Sequence, residues 1–289
     1  MREGMRELHD DQYSRTRALV GAVPFNSLFA RAVLEKKVRG RVLVDNEADP
    51  SVCLVVHKYG MSLLCGDPEN RTFNRELKEF LQNDARNGNS AKWLVCFPNA
   101  WEGALRTLLG GDLVEEMGRT QGFASTERPS PAVLRTERLN FKFDGKPSTA
   151  PEVPADFVVR RIDSNLYDKI QGTVVPQYFW NSSQEFLAEG IGFSLLAGDQ
   201  VVSTAFSSFV VEDQLELGVE THPDFRRRGL ASFPASALVD YCLSHGYEPV
   251  WACRKGNIPS FRLAIRLGFS PSTVLPYYIL PAGREIVQS

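Results

Sequence analysis

The chain has 289 residues, enough for two domains of about 150 residues each, and 43% of them are hydrophobic and 24% charged. That composition excludes a disordered or fibrous chain. Lys plus Arg number 33 against 35 Asp plus Glu, a net charge of -2, so nothing draws the whole chain to nucleic acid or to an anionic membrane.

Residues 1–20 carry too many charges for a signal peptide. Apolar alternation bounded by turn residues predicts strands over 41–46, 51–57 and 61–65. A helix follows over 72–86, a strand over 92–97, a helix over 101–109 and a strand over 138–143. Five prolines (Pro129, Pro131, Pro147, Pro151 and Pro154) then crowd one stretch, and residues 143–154 read as a linker. The expected boundary lies near residue 147, giving domains 1–146 and 147–289.

The second half opens with a strand over 157–162 and helices over 165–171 and 183–189. Strands over 193–197 and 201–211 are joined by the turn Gly198-Asp199-Gln200. Another strand covers 214–221. A helix over 229–244 puts Leu230, Ala235, Leu238 and Cys242 on one face. Pro234 lies inside it, so a kink or an irregular first turn is expected. A strand over 248–253, a helix over 257–267 and a strand over 273–280 complete the half. The order predicts an α/β (α+β) fold, a mixed sheet with helices on both faces. The first half repeats that order, as two copies of one unit would, the first diverged.

Five cysteines (Cys53, Cys65, Cys96, Cys242 and Cys253) are widely spaced in apolar surroundings, without a CxxC pair or a histidine at ligand spacing. They read as reduced, buried thiols of a cytoplasmic protein, with no metal. No run of about 20 apolar residues is present, so no membrane span is expected.

The segment richest in chemistry is Leu215-Glu-Leu-Gly-Val-Glu-Thr-His-Pro-Asp-Phe-Arg-Arg-Arg-Gly-Leu-Ala231. A strand ends at His222-Pro223, an arginine-rich loop follows, and a helix opens near Gly229. The first turn of a helix offers backbone N–H groups without internal partners, at the positive end of the helix dipole. Small residues admit an anion close to that backbone. Arg226, Arg227 and Arg228 add positive charge, and the whole suits a pyrophosphate. Three arginines in a row also suit a plain solvated face. A nucleic-acid role for them is not supported, because the net charge is -2 and no second basic cluster exists.

These residues resemble the GNAT superfamily of acyl-CoA-dependent N-acyltransferases. Arg226-Arg-Arg-Gly229-Leu-Ala231 matches its Arg/Gln-x-x-Gly-x-Gly/Ala signature, and Val219-Glu-Thr-His-Pro223 matches the end of its central strand. Pro249 to Arg254, Asn257-Ile-Pro-Ser260, Leu263-Ala264 and Leu267-Gly268-Phe269 match the strand and helix that complete the coenzyme site. The combination is similar to the subgroup named simply GNAT acetyltransferase, in which such a domain follows an N-terminal extension.

The resemblance implies transfer of an acetyl group from acetyl-CoA to an amine acceptor, a small molecule or a peptide, by direct attack. The backbone of Arg226, Arg227, Arg228, Gly229, Leu230, Ala231 and Ser232 would hold the pyrophosphate. Gly218, Val219 and Thr221 would pair with the pantetheine arm as an added strand does. Asn257 and Ser260 would face the pantetheine or the sulfur. Asn257 also reads as a helix N-cap with Pro259 in the first turn.

Where many members carry a tyrosine acid and a glutamate base, this chain has Ala264 and Ala252. Glu220 and Glu216 share one parity of the central strand and are the candidate bases. Tyr277 and Tyr278, on the last strand, are the candidate acids, with core packing as the other reading for at least one of them. His222 reads as a turn residue or a base, and Cys253 as a core residue. Tyr178, Phe179 and Trp180 form a packing cluster or line the acceptor site.

The first half lacks the signature. In its matching place stand Asp67 and Glu69, which repel a pyrophosphate. It is expected to be a degenerate GNAT-like unit that completes the acceptor cleft or makes a homodimer contact. The rival to the enzyme is a non-catalytic acyl-CoA-binding sensor or interaction module.

Overall fold

Contact density divides the chain into two units, one of residues 1–138 with 274–289 and the other of residues 139–273. The computed structural model describes residues 4–83, 92–116, 132–145 and 152–281. Pro129, Pro131, Pro147 and Pro151 of the expected linker region lie outside the described residues. The expected boundary near 147 thus differs from the observed division, in which the chain changes unit inside a strand.

In the first unit, β1 (Arg6–Glu7) leads through the 3-10 turn Asp10–Thr16 to α1 (Arg17–Gly21) and α2 (Leu28–Leu34). β2 (Gly40–Val44), β3 (Val52–His57) and β4 (Met61–Gly66) form an antiparallel meander, with Val42 opposite Val55 and Leu54 opposite Leu64. Every position of β3 is buried, as a central strand of an apolar sheet must be.

α3 (Arg71–Asn83) buries Phe73, Leu77, Phe80 and Leu81, spaced as one helical stripe. It returns the chain so that β5 (Trp93–Phe97) lies parallel to β4. α4 (Trp101–Leu109) buries Trp101, Leu105 and Leu109 at intervals of one turn. β6 (Leu113–Glu115) pairs with the start of β7 (Val133–Phe143). Beside β5 lie Tyr278 and Ile279, opposite Leu94 and Trp93. The core joins Leu54, Leu64, Phe73, Trp101, Val133 and Tyr278. Burying each such side chain contributes roughly 1.5–3 kcal/mol.

The second unit begins with the end of β7, then β8 (Val158–Arg161), α5 (Ser164–Lys169), α6 (Pro176–Phe179) and α7 (Ser183–Glu189). Asp163 and Ser182 cap α5 and α7 by accepting from Leu166 N and Glu185 N. β9 (Gly192–Ala197), β10 (Gln200–Val211) and β11 (Gln214–Thr221) form a second antiparallel meander.

α8 (Ser232–Ser244) then carries the chain to β12 (Glu248–Val250), parallel to β11. The sheet runs β12-β11-β10-β9-β8. β13 (Ala252–Arg254), α9 (Ile258–Arg266) and β14 (Phe269–Ile279) follow. Three antiparallel strands, a helix and a parallel strand therefore recur in both units, the repeat read from the sequence.

Two local features differ from the expected ones. The strand expected over 248–253 is two strands, because Trp251 turns away and its carbonyl accepts from Phe141 N at 3.1 Å. The helix expected from Gly229 begins at Ser232. Pro234 is then the third helical residue, where a missing N–H removes no internal bond, and the first long bond is Ala235 N to Ala231 O at 3.2 Å.

Candidate active site

β11 and β12 pair at three positions, Gln214–Glu248, Leu215–Pro249 and Glu216–Val250. Past Val250 the chain leaves the sheet, while β11 runs on to Thr221, paired along its other edge with β10 from Val211 to Ser203. The freed edge of β11 faces no strand among the described residues. Such an edge accepts an extended ligand by backbone pairing. Gly218 lies on this stretch, and a Cβ there would stand 2.5 Å from Ser208 Oγ and 2.6 Å from the Phe206 ring. Packing from β10 therefore requires glycine.

Beyond β11 the chain turns through Pro223–Phe225, with Phe225 N bonded to His222 O at 2.9 Å. Arg227 and Gly229 have φ of 64° and 73°, so the loop coils tightly before α8. Gly229 O then accepts from Ser232 N at 3.1 Å and Ser232 Oγ at 2.7 Å. The N–H groups of Arg227, Arg228, Gly229, Leu230 and Ala231 reach no protein acceptor among the described residues. Ala231 offers no side chain to cap α8. Open amides at the positive end of a long helix form an anion site.

The three arginines take separate parts. Arg226 Nε donates to Thr221 O at 2.9 Å, and its Nη2 pairs with Glu220 Oε1 at 3.1 Å. The Arg228 guanidinium lies 5.2 Å from the Phe225 ring centre, a cation–π contact. Arg227 is exposed. A fourth arginine was not anticipated: Arg266 Nη1 lies 3.3 Å from where a Cβ of Gly229 would be. It ends α9, and only the packing of α9 brings it to the loop.

Glu220 is nearly enclosed, its side chain 10% exposed. Oε2 accepts from Thr173 N, Thr173 Oγ1 and Val174 N at 2.8, 2.9 and 3.0 Å. Oε1 accepts from Thr221 N and Arg226 Nη2, both at 3.1 Å. Burial by itself would raise its pKa, but the hydrogen bonds from Thr173, Val174 and Thr221 outweigh it, and the carboxyl sits below its ordinary value.

Glu216 is buried at the last position where β11 and β12 still pair. Tyr278 is not among these groups: it is fully buried in the core of the first unit, and burial pushes its phenol up. The reason is pairing, since β14 ends opposite β5.

Asn257 caps α9, accepting from Ser260 N at 3.2 Å, and Trp251 Nε1 donates to Ser260 Oγ at 3.3 Å. Asn257 is exposed and Ser260 half-buried. His222 Nδ1 accepts from Asp224 N at 3.4 Å, as a turn residue does. Cys253 is buried in the core with Trp251. Phe179 and Trp180 also pack inward, the indole N–H donating to Ser207 O at 2.7 Å, while Tyr178 is exposed. A cleft of about 270 Å3 opens beside Glu220 and His222, walled by Lys169, Gln171 and Ser203 among others. Among the described residues no helix is long and apolar enough to cross a membrane.

The sequence profile described as GNAT acetyltransferase matches residues 23–278. An uncharacterised N-acetyltransferase of Bacillus subtilis, YdfB, is 25% identical over 283 residues, spanning 96% of this chain and 95% of its own. The ribosomal protein bS18 alanine N-acetyltransferase of Salmonella typhimurium is 27% identical over 110 residues, 37% of this chain and 72% of its own. Among solved structures, a GCN5-related N-acetyltransferase-like protein from Streptococcus suis shares the fold with a TM-score of 0.70 at 23% identity, covering 93% of this chain and 98% of its own. A tandem GNAT protein from the clavulanic acid biosynthesis pathway shares it at a TM-score of 0.53 and 14% identity, over 97% and 99%. The strand order, the parted strands and the profile match over most of the length agree: the chain belongs to the GNAT acetyltransferase family and is an acyltransferase.

Proposed function

We propose that the chain transfers an acetyl group from acetyl-CoA to an amine acceptor, at one working site in the second unit. The observation that carries the reading is the parting of β11 from β12 beside five amides, 227–231, that have no protein acceptor among the described residues. The backbone of Gly218 to Thr221 pairs with the pantetheine arm, and one of its amides polarises the thioester carbonyl. The amides of 227–231, with Ser232 closing the turn, hold the pyrophosphate, and Arg266 adds a positive charge. Asn257 and Ser260 line the far wall through the turn into α9.

When bound, acetyl-CoA supplies a thioester carbon for the amine to attack, so that a C–N bond forms, the C–S bond breaks and a thiolate leaves. The amine must shed a proton before or during attack. Glu216 stands where the strands part, and we assign it that proton, taken through water. Glu220 is a weak base as held, because its oxygens already accept five hydrogen bonds. Tyr278 receives no role at the leaving thiolate, which takes its proton from solvent.

The test is calorimetry with acetyl-CoA, then thiol release across a panel of amines. The panel includes a peptide with an N-terminal alanine, the group named for the Salmonella relative. Binding followed by amine-dependent thiol release supports the reading. Binding without release from any amine would support the sensor instead, and no binding would reject both.

A further inference from the structure

The sequence Gly172-Thr173-Val174, between α5 and α6, is built around one carboxylate. Both amides of Thr173 and Val174 and the Thr173 hydroxyl point at Glu220 Oε2. Gly172 has φ of 148°, and a Cβ there would stand 2.5 Å from Glu220 Cγ. A side chain at 172 would push the segment off Glu220.

The other oxygen faces the anion loop. Arg226 begins that loop, and its guanidinium bridges Glu220 Oε1 and Thr221 O. A carboxylate has about four lone-pair sites, and five donors here fill them, leaving none for a proton from an amine. The path runs along the backbone from 227–231 to Arg226, and from its guanidinium through Glu220 to Thr173 and Val174.

We propose that Glu220 is a positioning residue that ties the α5–α6 connection to the anion loop through Arg226, so that coenzyme binding tightens the connection. The proposal rests on the reading of 227–231 as the coenzyme site. A phosphate held there restrains Arg226, and Arg226 restrains the carboxylate. Coupling of this kind is reciprocal, so ordering of the connection strengthens coenzyme binding in turn.

The experiment is amide hydrogen exchange on the full chain, with and without coenzyme A. In the wild type, coenzyme A should slow exchange at 227–231 and, by roughly tenfold, at Thr173 and Val174, within the usual range of coupling. Glu220→Gln turns an amide NH2 toward donors, and it should keep the response at 227–231 and lose it at 173–174. Arg226→Met cuts the link from the other side. It should keep the ligand-free protection of Thr173 and Val174 and lose their response to coenzyme A.

A response at 173–174 that survives in both variants would overturn the proposal. So would protection at 227–231 alone in the wild type. No protection at 227–231 would sink the coenzyme reading itself. Turnover supplies a second readout, with the amine found by thiol release. Positioning predicts that Glu220→Gln raises the amine KM with kcat held within about twofold, whereas a base would lower kcat by the roughly 100-fold or more typical of lost general-base catalysis.

Discussion

β4 enters α3 through a junction whose Asp67, Glu69 and Phe73 amides all bond within the protein, while β11 enters α8 through one whose amides at 227–231 reach no acceptor among the described residues. β4 and β5 remain paired from Met61–Trp93 to Cys65–Phe97, whereas β11 and β12 part after Glu216–Val250. At α3, Asn70 Oδ1 accepts from Phe73 N at 3.0 Å, and Asp45 accepts from Ser51 N, Val52 N and Asn70 Nδ2. At α8, Ala231 caps nothing, and the amides before it have no acceptor among the described residues. Asp67 and Glu69 add negative charge to the first junction, where the second carries three arginines. One topology thus carries two kinds of junction, which differ in the backbone groups that the protein itself satisfies.

The two glycines of these junctions test that comparison most sharply. At Gly66, φ is 105° and a Cβ would lie 2.1 Å from Ser51 O. Gly66→Val should therefore destabilise by about 4 kcal/mol or more, at the far end of single substitutions. An unchanged urea midpoint would show that the first junction has room for a side chain.

At Gly229 the nearest neighbour of a Cβ is the mobile end of Arg266, so only φ opposes a side chain. Gly229→Val should cost about 1–2 kcal/mol of stability, yet weaken coenzyme A by roughly 100-fold, about 2.7 kcal/mol. Calorimetry on the folded variant decides, and wild-type affinity would reject the anion loop.

The open junction can also be closed by charge. Ala231→Asp sets a carboxylate at the positive end of α8, which should stabilise by about 0.3–1 kcal/mol. The same carboxylate should weaken coenzyme A by about tenfold, or 1.4 kcal/mol. Tighter binding would contradict the electrostatic account. A smaller loss is expected of Arg266→Met, roughly threefold and fading with added salt, as for an exposed charge. A loss that ignores salt would mean that Arg266 acts by packing.

The smallest effect is on stability against pH. The folded pKa of Glu220 lies below its ordinary 4.5, so its contribution is complete above that value and fades as pH falls through the folded pKa. The stability gap between wild type and Glu220→Gln should be constant near neutrality and shrink below about 4.5. Urea titrations at several pH values measure it, and a gap that widens in acid would reverse the sign.

The repeating order of strands and helices was legible because apolar periodicity is local, as at Phe73, Leu77 and Leu81. α2 was not, since Leu28, Phe29, Ala30, Ala32, Val33 and Leu34 are buried on nearly every side and leave no amphipathic stripe, and Ser27 makes no side-chain cap. The break at Trp251 was hidden as well, because either half of 248–253 suits a strand and nothing local names its partner.

The amino-acid sequence alone determined the succession of elements, the glycine and arginines before α8, and the acidic residues that mark the first junction. Each is a matter of neighbours in the chain. Tertiary structure alone decided that Tyr278 closes the first core, that Arg266 reaches Gly229, and that Glu220 meets Thr173 from 47 residues away. Those contacts depend on which strands pair and how helices pack, and such long-range closure leaves no periodic trace in the residues that make it.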